Sequence, residues 1–114
     1  MNDKFLSLLG MARRSGRLCP GHDAAVSSIV KNQAKLCIVS EEGSQRLLRE
    51  MTHACSYEGK SIPLLTVKYT ITELSQAIGS KAAVLTVTDE GFAEALMKRY
   101  DEISTKAENQ VRKD

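Results

Sequence analysis

The chain contains no tryptophan, only two prolines and three cysteines, and no apolar run near the roughly 20 residues that would cross a membrane. Each shortage closes off a class of protein. Cys19, Cys37 and Cys55 are odd in number and widely spaced, with no C-x-x-C pair, so neither a disulfide framework nor a zinc site is indicated. They read as small, buried, apolar residues in a reducing cytoplasm. The start, Met1-Asn2-Asp3-Lys4, lacks the long apolar segment of a signal peptide, so a soluble cytoplasmic protein without membrane contact is expected.

Enzyme signatures are absent as well. There is no G-x-G-x-x-G, P-loop, G-x-S-x-G or H-E-x-x-H. His53 and Cys55 invite a base-and-nucleophile reading, but residues two apart on a helix point about 200° from one another and cannot face one substrate. Glu41-Glu42 follows an apolar strand, where open α/β sheets place active sites. No base, metal ligand or nucleophile lies near it in sequence. A non-catalytic protein with no metal and no cofactor is expected.

What remains is one domain of 114 residues, with an uneven distribution of charge. Residues 1 to 49 hold eight Lys/Arg against four Asp/Glu, a net of +4; residues 50 to 114 hold eight against ten, a net of −2. A basic half is the pattern of a polyanion-binding face, although solvated charged surfaces share it.

Apolar spacing predicts five helices alternating with strands. Asn2 or Asp3 caps a first helix with Phe5, Leu8, Leu9 and Ala12 on one face. Arg17-Leu18-Cys19 is long enough only for an edge strand. A second helix, about Asp23 to Lys31, turns Val26, Ile29 and Val30 inward and ends near Asn32. Leu36-Cys37-Ile38-Val39 reads as a central strand. Ser44 caps a third helix carrying Leu47, Leu48, Met51, Ala54 and Cys55. Ile62 to Val67 is a strand, Thr70-Ile71-Thr72-Glu73 fits the capping box of a fourth helix burying Ile71, Leu74 and Ile78, and Ala83 to Val87 is the last strand. Asp89 caps a final helix with Phe92, Leu96, Tyr100 and Ile103. The whole is an α/β protein, a three-layer α/β/α sandwich with a small, mostly parallel mixed sheet, over residues 1–103. Residues 104–114 form a polar C-terminal tail expected to fray.

The candidate site is the stretch from Gly16 to Ser27. Gly16 suits the left-handed position after a helix, Pro20-Gly21 reads as a turn, and Asp23 is placed to cap a helix starting at Ala24. A helix N-terminus near Arg17 favours oxygen-rich anions, phosphate above all, though many such turns only reverse the chain. Aromatic platforms are scarce, because Phe5, Phe92 and Tyr100 fall on core stripes. Tyr69, in Val67-Lys68-Tyr69-Thr70 between a strand and a helix, is placed either to cover an unstacked base or to staple the following helix.

Three segments, Ser15-Gly16-Arg17-Leu18-x-x-Gly21, Gln33-Ala34-Lys35-Leu36-Cys37-Ile38-Val39-Ser40-Glu41-Glu42 and Glu73-Leu74-x-x-Ala77-Ile78-Gly79, resemble the ribosomal protein family called L-seven-Ae and L-thirty-e, especially its small bacterial branch. The resemblance runs from about Phe5 to Met97. It implies an α/β/α sandwich and binding of structured RNA: ribosomal RNA or a kink-turn, a sharply bent helix with an internal loop. In kink-turn binders the turn into the second helix resembles Gly-x-Asn-Glu-x-x-Lys. Here Gly21 matches, while Asp23, Ala24 and Ser27 replace the Asn, Glu and Lys. Arg17 holds a place that is basic in relatives. The resemblance thus implies contacts at Arg17, Gly21, His22, Asp23, Ala24, Ser27 and Lys35, with Val67, Lys68, Tyr69 and Thr70 across from them. A monomeric, ribosome-associated protein meeting RNA and ribosomal proteins is the expectation. A protein-interaction or assembly module of the same fold is the alternative, supported by the three departures.

Overall fold

The computed structural model describes residues 3–113, with side chains described for residues 3–103. Five helices, α1 (Lys4–Arg14), α2 (His22–Val30), α3 (Gln45–Ser56), α4 (Ile71–Ile78) and α5 (Glu90–Lys113), alternate with four strands, β1 (Leu18–Pro20), β2 (Leu36–Ser40), β3 (Leu64–Val67) and β4 (Val84–Val87). Local chemistry sets most of the boundaries. The carboxylate of Asp3 accepts from the Leu6 N–H, the Ser44 hydroxyl from Leu47, and Asp89 from Phe92, each satisfying an amide that the helix leaves free. Thr70 and Glu73 close the expected capping box.

The sheet order is β1-β4-β2-β3. Only β2 and β3 run parallel; β4 is antiparallel to both β1 and β2. The sheet is therefore mixed, as expected, but most of its pairings are antiparallel rather than parallel. A helical connection permits either sense, because α4 and the segment after it return the chain to the end of the sheet where β3 stopped. Β1 is the short edge strand foreseen.

Side chains alternate across the pleat and make two cores. Leu36, Ile38, Leu85 and Val87 face α1, α4 and α5; Cys37, Val39 and Val84 face α2 and α3. Gly10 of α1 lies so close to α4 that an added Cβ would stand 3.1 Å from the Ala77 carbonyl oxygen. Ala77 belongs to that close crossing, while Gly79 ends α4 in the left-handed conformation. One buried polar pair joins the layers: the hydroxyls of Ser28 on α2 and Thr86 on β4 are 2.6 Å apart.

Several boundary and burial expectations change. Val30 is 67% exposed and Ile103 50% exposed, because each ends an apolar stripe past the edge of the sheet. Ile71 and Cys19 are half-buried; Cys37 and Cys55 are buried as expected. The N-cap of α2 is Gly21, without a side-chain cap, and Asp23 sits in the first turn instead of capping it. The backbone of α5 runs to Lys113, past the boundary expected at Ser104, since Glu, Lys, Gln and Arg there are good helix formers with no glycine or proline to stop them. The side chains of that segment, and Asn2 as an alternative cap, lie outside the described residues.

Candidate nucleic-acid interface

Strand direction decides which candidate residues meet. Pro20 pairs with Leu85, Val39 with Val84, and Ser40 with Val67, while the Gly21 N–H donates to the Val84 carbonyl at 2.8 Å. Gly21, Val84, Ser40 and Val67 thus form a row along one end of the sheet. Three strand spacings separate its outer members, roughly 14 Å. The N-terminus of α2 and the loop from Lys68 to Thr70 share this end, as the sequence suggested. Ser40 and Glu42 lie between them and hold the loop: the Ser40 hydroxyl donates to the Tyr69 carbonyl at 2.7 Å, and the Glu42 carboxylate accepts from the Ile71 N–H at 2.8 Å.

Arg17 and Lys35 do not join this row. Each precedes a strand whose far end carries the site, so both stand at the opposite end of the sheet. The Thr88 N–H donates to the Arg17 carbonyl and the Lys35 N–H to the Val87 carbonyl. Arg17 is four residues from Gly21 along extended chain, about 13 Å. This placement corrects the grouping of Arg17 and Lys35 with the Gly21 turn.

At the α2 N-terminus Gly21 has φ 90 and ψ 163, a conformation essentially restricted to glycine. It directs the first amides of α2 outward with no side-chain cap across them. His22, Asp23 and Ala24 are exposed, and Ser27 lies a turn further along, half-buried. The His22 ring bridges two carboxylates, with Nδ1 3.1 Å from Asp23 and Nε2 2.5 Å from Glu50 on α3. The hydrogen bond to Glu50, followed by that to Asp23, raises the His22 pKa above its ordinary value of 6.5. Its small contribution to stability is therefore complete below pH 6.5 and is lost as pH rises through the higher folded value. Glu50→Gln is expected to return the His22 titration toward 6.5, read from its imidazole proton shifts by NMR; an unchanged midpoint would show that the contact is not made in solution.

On the other side, Lys68 is exposed, the Val67 side chain is buried, and the Thr70 hydroxyl is committed to the Glu73 N–H. The Tyr69 ring stacks on Phe5 at 5.4 Å between centroids, and its hydroxyl donates to Asp3 at 2.6 Å. Burial, with this hydrogen bond, pushes the phenol pKa up, so it stays protonated. Beside it opens a largely apolar cleft of about 590 Å³ lined by Phe5, Glu41, Lys68, Tyr69, Tyr100 and Ile103.

Sequence reasoning missed Glu50 and weighed Glu41-Glu42 only for catalysis, not as neighbours of the two candidate segments. Glu50 comes from α3 to His22, and Glu41 and Glu42 from the turn after β2 lie between the two candidate segments. Three of the carboxylates at this end are engaged: Glu50 by His22, Glu42 by the Ile71 amide and Glu73 by the Thr70 amide. The capping-box spacing announces the Glu73 contact, whereas no local spacing encodes the other two. His53 is exposed while Cys55 is buried, and Glu42 works as a backbone acceptor.

Comparison with known proteins fits this architecture. The family described as ribosomal protein L7Ae/L30e/S12e/Gadd45 matches residues 3–97. The RNA-binding protein YlxQ of Bacillus subtilis is 31% identical over 99 residues, covering 86% of this chain and 96% of that protein. The RNA-binding protein YlxQ of Enterococcus faecium is 28% identical over 90 residues, covering 79% and 84%. A solved Bacillus halodurans protein of unknown function superposes with a TM-score of 0.79 at 31% identity, covering 88% of this chain and 99% of that one. The Giardia lamblia 15.5kD RNA binding protein shares the fold, with a TM-score of 0.66 at 19% identity, covering 96% and 92%. With the match running through every strand and into α5, the chain belongs to the ribosomal protein L7Ae/L30e/S12e/Gadd45 family.

Proposed function

We propose that this chain is a non-catalytic protein that binds structured RNA as a cytoplasmic monomer, with the Gly21 turn and the Lys68–Thr70 loop gripping a bent or bulged segment. Ribosomal RNA or a kink-turn is the substrate class. The observation that carries the reading is the juxtaposition of those two segments in a chain whose relatives of nearly equal length are named RNA-binding proteins.

The chemistry is that of shape selection. The outward amides of α2 suit phosphate oxygens, Lys68 supplies a cation on the far side, and His22 adds positive charge when protonated. With Asp23, Ala24 and Ser27 in place of Asn, Glu and Lys, the turn loses the amide donors, the carboxylate and the ammonium that read base edges, so backbone contacts dominate. Few phosphates are neutralised at this end. Affinity for a kink-turn hairpin or a ribosomal RNA fragment is expected to fall about tenfold between about 50 and 200 mM salt, a shallow response for a nucleic-acid binder. Filter binding across that range tests it, and absence of binding to both RNAs at the lower salt would refute the reading.

A second reading is favoured by one observation: Asp23, Glu41 and Glu50 place negative charge where phosphate would approach. On that reading the chain is an assembly module contacting protein. Nuclease treatment before affinity purification separates the two, since partners held through RNA are lost and direct protein partners kept.

A further inference from the structure

We infer that the end of the sheet opposite the Gly21 turn is a second RNA-contact surface, so that one molecule bridges two RNA segments. This rests on the proposed RNA binding and extends it to residues that the first site does not use. Five side chains make the surface: Arg17 before β1, Lys31, Asn32 and Gln33 after α2, and Lys35 before β2. All five are exposed.

Backbone hydrogen bonds fix their proximity. Arg17 and Lys35 flank the last residues of β4, through Thr88 N–H to Arg17 O at 2.9 Å and Lys35 N–H to Val87 O at 2.7 Å. Two strand spacings therefore separate their backbones, about 10 Å. The turn between α2 and β2 is tight: the Gln33 and Ala34 amides both donate to the Ser28 carbonyl, and Asn32 takes φ 60. Lys31 and Lys35 are thereby held on either side of two amide side chains. Cations placed like this neutralise successive phosphates, and Asn and Gln offer both donors and acceptors to ribose hydroxyls and base edges.

Charge is what separates the two ends. Among the described residues Arg17, Lys31 and Lys35 make no ion pair. The nearby carboxylates follow Thr88: Asp89, occupied by the Phe92 amide, and Glu90, exposed in the first turn of α5. Helix α5 starts here and runs toward the other end, where the Tyr100 hydroxyl already reaches the Thr66 carbonyl at 3.2 Å. Its C-terminal continuation thus leads away from this surface. The surfaces are separated by the length of β2, Lys35 to Glu41, about 20 Å. No single phosphate run on one side of an RNA helix can serve both without wrapping the protein.

The test uses the full chain and fragmented bacterial ribosomal RNA, one portion immobilised and another fluorescent in solution. Wild-type protein retained on the fixed RNA is expected to capture fluorescent RNA. The triple variant Arg17→Gln, Lys31→Gln, Lys35→Gln should be retained within about threefold of wild type yet capture about tenfold less. A control with Lys98→Gln and Arg99→Gln on α5 should behave as wild type, and circular dichroism confirms that both variants fold. Equal capture by the triple variant and the control, or wild-type retention without capture, overturns the second surface and leaves the first standing. Wild-type protein that is not retained at all overturns both.

Discussion

Leu85→Ala is expected to destabilise the fold by about 2 to 5 kcal/mol, read as a lower urea midpoint at unchanged slope. Leu85 is fully buried in β4, paired to Pro20 on one side and Ile38 on the other, and its side chain faces α1, α4 and α5. Central strands of a three-layer sandwich have no route to fill the space left by a lost isobutyl group, because strands on both sides fix the backbone. The cavity term therefore adds to the lost transfer free energy. A change under about 1 kcal/mol would mean that this face of the sheet is not the principal core.

Gly21→Ala carries the second large effect, about 1 to 3 kcal/mol of stability with a parallel loss of RNA affinity. The position has φ 90, and an added Cβ would meet nothing within 4 Å, so the cost is backbone strain and not a clash. Relief of that strain requires the peptide to turn, which breaks the Gly21 N–H bond to Val84 and swings the first amides of α2 away from the ligand. Thermal unfolding and RNA titration of the same preparation measure both. Unchanged stability together with unchanged affinity would show that the turn is not held in this conformation.

The two substitutions mark what could and could not be read from the chain. Spacing of Phe5, Leu9 and Ala12, the apolar run of β2 and the capping signals at Ser44, Thr70 and Asp89 rest on interactions within a few residues, and these elements stand where they were expected. Sheet polarity is different. A helical connection tells only that the chain leaves one strand and later starts another, and β4 enters from the end where β3 stopped. Two of the three pairings are consequently antiparallel.

For the site, strand direction was the missing step. A residue before a strand and one after it lie at opposite ends, so Arg17 was bound to part from Gly21 and Lys35 from Glu41 once β1 and β2 existed. Grouping the cations with the turn overlooked that rule. The Glu50 contact to His22 spans 28 residues and the Asp3 contact to Tyr69 spans 66, and no periodicity reports pairs of that separation. Tyr69 commits its ring to Phe5 of the first helix and to the first core, while one side lines the cleft beside Lys68.

The most direct measurement is amide chemical-shift mapping of the labelled chain on addition of a kink-turn hairpin RNA at low salt. Perturbation of Gly21 to Ala24 together with Lys68 to Thr70 is the predicted pattern, since only an RNA lying along that end of the sheet touches both. Shifts confined to one of the two segments, or absent from both, would contradict it.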